Sequence, residues 1–140
     1  MRRLTNLALS KYSHPDVRRL AIERLTAGRW TEDELDLLKM NYEPGDAALI
    51  ECLIHVPENS YELHRLGYGL VDLFESNPVD ESGTATRFVY EQSPCSICRR
   101  KAVTILVKTG NAPGWLLGEC RFDSDELIRA AVQSEGSSPA

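Results

Sequence analysis

The sequence lacks the features from which an activity is usually inferred. No stretch approaches the ~18 uninterrupted apolar residues of a membrane span, and its 140 residues include four cysteines, three histidines and two tryptophans. It contains no H-E-x-x-H motif, no phosphate-binding loop and no Ser-His-Asp order. No nucleophile with its base can be assembled, so we expect a protein that is not an enzyme.

The cysteines are too few and too scattered for a predicted zinc site. Cys95 and Cys98 form one C-x-x-C within "SPCSICRRKAV", but no second pair follows, and a closed zinc site needs four ligands. A redox C-x-x-C is typical of a βαβ setting, which this sequence lacks. The other candidate ligands show no paired spacing: Cys52, Cys120, His14, His55 and His64. We therefore expect no metal and no cofactor, with a thiol or metal switch at Cys95 and Cys98 as the weakest alternative.

The first fifteen residues, "MRRLTNLALSKYSHP", have a basic start and an apolar part, as a signal peptide does. The apolar part is interrupted by Thr5, Asn6 and Ser10, and no small-residue cleavage site follows. We predict a helix of the mature protein here. Without a secretion signal, we expect a cytoplasmic protein whose thiols stay reduced.

What the sequence does contain is a segregated charge. The net charge of -5 combines +5 in residues 1–29, -11 in residues 30–86 and +1 in residues 87–140. An acidic middle argues against a nucleic-acid channel through the centre of the molecule. It favours a partner protein with a basic surface, or a solvated acidic face.

Apolar residues recur at helical spacing along almost the whole chain. Between Pro15 and Gly28 the apolar positions lie on one helix face, and Thr31 with Glu34 has the spacing of a capping box. Only "RKAVTILVKT" has the β-branched content of a strand, and its length and flanks favour a helix. The pattern predicts an all-α domain of about nine helices over residues 1–133, with a disordered tail over 134–140.

Two segments of the chain resemble each other. When "VRRLAIERL" (17–25) is set over "CRRKAVTIL" (98–106), arginines, an alanine and a leucine coincide, and each segment is followed by Gly28 or Gly110. In this alignment Cys98 takes the position of Val17 and should point into the core. A partial third copy, "IRAAV" (128–132), places Arg129 at the position of Arg18 and Arg99.

The segment "HPDVRRLAIERL" (14–25), and in part "SDELIRAAV" (124–132), is similar to the HEAT-repeat family and its armadillo-like relatives. The resemblance implies a right-handed α-α superhelix of stacked helix pairs. It also implies that Arg18, Arg99 and Arg129 are structural and pair with residues such as Asp16 or Asp125.

We predict a non-catalytic, adaptor-type module that binds a basic partner protein. Its acidic candidates are Asp33, Asp36, Glu51, Glu58 and Glu62. The alternative is a module that binds nucleic acid or phosphate. Its candidates are Arg18, Arg19, Arg99, Arg100 and Lys101. The acidic middle and the scarcity of clustered aromatic residues argue against that alternative. No membrane association is expected, and the sequence leaves the oligomeric state open.

Overall fold

The predicted all-α class is confirmed. The computed structural model describes residues 2–28 and 30–134, and within these ranges it contains nine α-helices and no strand. Apart from Ser134, the predicted tail lies outside the described residues. The helices are α1 (Arg2–Leu9), α2 (Pro15–Thr26), α3 (Glu32–Leu38), α4 (Asp46–Leu53), α5 (Ser60–Ser76), α6 (Gly83–Gln92), α7 (Ser96–Lys108), α8 (Gly114–Cys120) and α9 (Glu126–Gln133).

Most helix ends follow from local chemistry. The capping box before α3 is confirmed, since the Thr31 hydroxyl accepts from Asp33 N–H and the Glu34 carboxylate accepts from Thr31 N–H at 2.8 Å. Gly28 and Gly110 end α2 and α7 with positive φ angles of 82° and 71°. His14 caps α2, because its ring nitrogen accepts from Asp16 N–H.

The helices pack in two rows. In one row α1, α3, α5, α7 and α9 contact one another in succession, and in the other α2 contacts α4 and α4 contacts α6. The rows meet where α2 packs on α3 and where α6 packs on α5 and α7. Buried apolar residues form one cluster that extends from Val17 on α2 to Val132 on α9.

The two similar segments agree in burial but differ in their neighbours. Val17, Ala21 and Leu25 of α2 are buried, as are Cys98, Ala102 and Leu106 of α7, so the predicted inward position of Cys98 is confirmed. However, the two helices belong to different rows. Helix α2 packs on α3 and α4, whereas α7 packs on α5, α6 and α9. The arginine signature therefore marks a similar helix surface in two different places, and the HEAT-type superhelix stays a prediction.

The segment that resembled a strand is helical, because residues 96–108 form α7. On α5 the apolar side chains of Leu66, Leu70, Val71, Leu73 and Phe74 are buried, whereas Leu63 is only half-buried. Gly69 of α5 is a site of close approach to α3, and Gly67 lies at ordinary contact distance from α6. These contacts bring α3, α6 and the start of α7 against one helix.

Candidate functional site

The recurring arginine of α2 is bound within the fold. Arg18 donates two hydrogen bonds to the buried Asp46 carboxylate, at 2.6 and 2.8 Å, and a third to Asn41 O at 2.8 Å. The hydrogen bond to Asp46 is the main reason that the pKa of Arg18 is raised. The resemblance suggested Asp16 as its partner, but Asp16 instead pairs with the exposed Arg19 at 3.0 Å.

The basic residues of α7 are also paired. Arg99 lies 3.7 Å from Asp123 and stacks over Tyr90, Arg100 lies 3.7 Å from Asp125, and Lys101 lies 3.2 Å from Glu75. The third recurring arginine, Arg129, donates to the carbonyls of Asp123 and Ser124. Each of the five candidate phosphate ligands thus has a carboxylate beside it, and the two groups line different clefts.

The candidate acidic residues separate into different places. Asp33 and Asp36 of α3 line a cleft between α1, α3 and α5, while Glu62 lines a neighbouring cleft together with His55. Glu58 is exposed in the loop before α5, and Glu51 is half-buried on α4. The structure therefore brings together two of the five predicted residues.

We call the cleft between α1, α3 and α5 the tyrosine cleft. It has a volume of about 390 Å³. Tyr61 and Tyr68 of α5 are 66% and 50% exposed, and Leu7 of α1 is 54% exposed. Its residues are Arg3, Leu7, Glu32, Asp33, Asp36, Tyr61, His64, Arg65 and Tyr68.

Two of the three carboxylates in the tyrosine cleft have an arginine beside them and one does not. Arg65 binds Glu32, and Arg3 lies 4.0 Å from Asp33. Asp36 has no ion pair within residues 2–28 and 30–134: its basic neighbour Lys39, whose charge acts to lower the pKa of Asp36, is itself bound to Asp72 at 2.5 Å. Burial raises the pKa of Asp36 above its ordinary value. This carboxylate is the part of the cleft to which a cation would be most favourable.

A second group of side chains adjoins the tyrosine cleft. His64 of α5 meets Cys95 and Cys98 at the start of α7, and one donor atom from each of the three residues lies within 4.8 Å of the others. The Cys98 Sγ is 3.8 Å from His64 Nδ1. Cys98 is buried, and His64 and Cys95 are half-buried. We call this group the thiol-imidazole cluster.

Local backbone structure places the two thiols. Cys95 is the N-cap of α7 and Cys98 lies one turn further on, so both face the same side of the helix. The Cys95 N–H donates to Ser93 Oγ at 3.3 Å. Gly67, one turn beyond His64, lies beside this corner of the chain, since a Cβ there would be in ordinary contact with Ser93 Oγ at 3.4 Å.

The two thiols act on each other, and their pKa values are shifted in opposite directions. Burial acts to raise the pKa of Cys95, but the N–H and the thiol of Cys98 and the N–H of Ile97 lower it below its ordinary value. Burial, followed by the neighbouring Cys95, raises the pKa of Cys98. Cys95 is therefore the thiol of the pair that ionises first.

Sequence spacing gave no reason to group His64 with the two cysteines. This histidine is 31 positions before Cys95, and its approach depends on how α5 packs against α7. The signal available in the sequence was the pair of glycines at positions 67 and 69, which is typical of a helix crossing but does not show which segment crosses there.

No protein-family model, curated protein or solved structure matches this chain. Within the described residues, no helix is both long enough and apolar enough to cross a bilayer.

Proposed function

We propose that the protein is a non-catalytic binding module whose tyrosine cleft takes a basic segment of a partner protein. The observation that carries the proposal is the half-buried carboxylate of Asp36, which has no ion pair among the described residues and lies in a cleft with two exposed tyrosines. The cytoplasmic setting and the HEAT-like architecture expected from the sequence belong to the same proposal.

The chemistry of the cleft selects a cation. An ionised Asp36 is partly removed from water, and an incoming ammonium or guanidinium group would replace the lost solvation. Aromatic faces attract such groups, and Arg65 and Lys101 already stack on Tyr61 and Tyr68. The apolar stem of a lysine or arginine would pack on the exposed rings and on Leu7.

A basic partner also fits the charge of the surrounding segment. Residues 30–86 carry a charge of -11, so the potential around the cleft attracts cationic chains over more than the contact distance. The candidate phosphate ligands of α2 and α7 are occupied by carboxylates and support the alternative less well.

The test uses fluorescence anisotropy with a labelled library of Lys/Arg-rich peptides and the full-length protein. We expect Asp36→Asn to weaken the tightest peptide at least about fivefold, which is about 1 kcal/mol. Glu58→Gln removes the same charge from an exposed position outside the cleft and is the matched control. Equal weakening by the two variants, or none by Asp36→Asn, would show that the cleft is not the binding site.

Tyr61→Ala provides a second variant of the cleft. Its side chain is 66% exposed, so its truncation should leave the thermal midpoint almost unchanged while it weakens peptide binding. If Tyr61→Ala and Asp36→Asn both bind like the parent, the proposal is wrong.

A further inference from the structure

The thiol-imidazole cluster is a set of metal ligands built by tertiary packing rather than by sequence spacing. We propose that His64, Cys95 and Cys98 bind a Zn²⁺ ion, with a fourth coordination position open to water. The observations behind this inference do not depend on the proposed protein-binding function.

The geometry is close to that of a bound ion. Zn–S bonds of about 2.3 Å and Zn–N bonds of about 2.0 Å place tetrahedral donors about 3.5–3.8 Å apart. The separation of Cys98 Sγ and His64 Nδ1 is 3.8 Å, and all three donor atoms lie within 4.8 Å of one another. Changes of about 1 Å or less, within the reach of side-chain rotation, would therefore close the site.

The charge balance favours a divalent ion. Two thiolates and a neutral imidazole carry two negative charges, which Zn²⁺ neutralises. This matters because Cys98 is 1% exposed, and a net charge left beside a sulfur so far removed from water would be costly. A monovalent ion such as Cu⁺ would leave one negative charge on the same ligands.

The ligands are held by regular elements rather than by a flexible loop. His64 lies on the longest helix, and the cysteines occupy the first turn of α7, which packs on it. The hydrogen bond from Cys95 N–H to Ser93 Oγ fixes the corner between α6 and α7. A site carried on helices whose mutual packing is already set loses little entropy on binding.

The set has three protein donors. No fourth histidine, cysteine or carboxylate joins the group within the part of the chain that the structure describes. Closed structural zinc sites have four protein ligands, whereas a three-ligand site keeps an exchangeable position for water or another donor. We therefore expect the bound Zn²⁺ to keep one exchangeable water ligand.

The experiment is a Zn²⁺ titration of the full-length protein, reduced and stripped of metal, in competition with a chromophoric chelator. We expect a single tight ion per chain. Cys95→Ser and His64→Asn should each weaken binding at least about tenfold. Cys52→Ser and His55→Asn change exposed residues of the same types and should bind as the parent does.

A spectroscopic measurement tests the ligands directly. Co²⁺ in the same site should give thiolate-to-metal charge-transfer absorption that Cys95→Ser diminishes and Cys52→Ser preserves. Circular dichroism of each variant verifies folding, and Cys95 and His64 are preferred to the buried Cys98 for this reason. Failure to take up Zn²⁺, or equal affinity of the parent and the Cys95→Ser and His64→Asn variants, would overturn the proposal. So would a Cys95–Cys98 disulfide that survives treatment with an excess of reductant and Zn²⁺.

Discussion

Gly69 of α5 lies against the backbone of Glu32 at the start of α3. A Cβ at position 69 would stand 2.6 Å from Glu32 Cβ and 3.2 Å from Glu32 Cα. The crossing of α3 and α5, which forms one wall of the tyrosine cleft, therefore depends on the absence of a side chain at this position.

We expect Gly69→Ala to destabilise the protein. The contact is with the backbone and Cβ of α3 rather than with a flexible chain end, so the two helices must separate, at a cost of about 1–3 kcal/mol. Gly67→Ala is the control, because its Cβ would find ordinary contacts from 3.4 Å and would gain helix propensity of up to about 1 kcal/mol. Urea denaturation measures both, and similar losses in the two variants would contradict the packing argument.

The buried Asp46 should contribute more to stability than the exposed Asp16, although both bind an arginine of α2. Asp46→Ala leaves the partly buried Arg18 guanidinium without its two shortest side-chain hydrogen bonds, and we expect a loss of about 2–3 kcal/mol. Asp16→Ala breaks a pair whose side chains are both well exposed, so we expect less than about 1 kcal/mol. The two free energies of unfolding, measured in parallel, decide between a structural Arg18 and one that is free to bind ligands.

Asp36 gives a pH-dependent prediction. Its pKa in the folded state is raised above 3.8 by burial. The protonated carboxyl therefore stabilises the folded state. This contribution is fully present below pH 3.8 and is lost as the pH rises through the pKa of the folded state. At neutral pH the folded chain therefore holds an unfavourable carboxylate, and Asp36→Asn should raise the Tm. The difference in Tm should narrow as pH falls from about 7 towards about 4.

Glu58→Gln is the control for this measurement, since Glu58 is exposed and should show no such dependence. A lower Tm for Asp36→Asn at neutral pH would contradict the interpretation. A variant that gains stability while it loses peptide binding would identify Asp36 as a residue retained for its function.

Local chemistry explains why most of the fold could be predicted. The hydroxyl of Thr31, the carboxylate of Glu34 and the glycines that follow α2 and α7 act within a few residues of their own helices, so their effects can be inferred from neighbouring positions. The buried positions of α7 were predictable for a similar reason, because a helix with one apolar face has few ways to bury it.

The partners of charged and ligating side chains could not be predicted, because they depend on which helices meet. Arg18 binds Asp46 across 28 positions, and His64 reaches Cys98 across 34. The predicted acidic residues Asp33 and Asp36 line one cleft and Glu62 another for the same reason. The charge of a segment does not determine which faces of its helices are exposed.

The imidazole of His64 belongs to the thiol-imidazole cluster and also borders the tyrosine cleft. If both proposals hold, the ion and the basic peptide share a side chain and are thermodynamically linked. If bound Zn²⁺ changes the affinity for the peptide by some factor, the bound peptide must change the affinity for Zn²⁺ by the same factor. Through this one histidine, the affinity for the partner would depend on the concentration of available Zn²⁺.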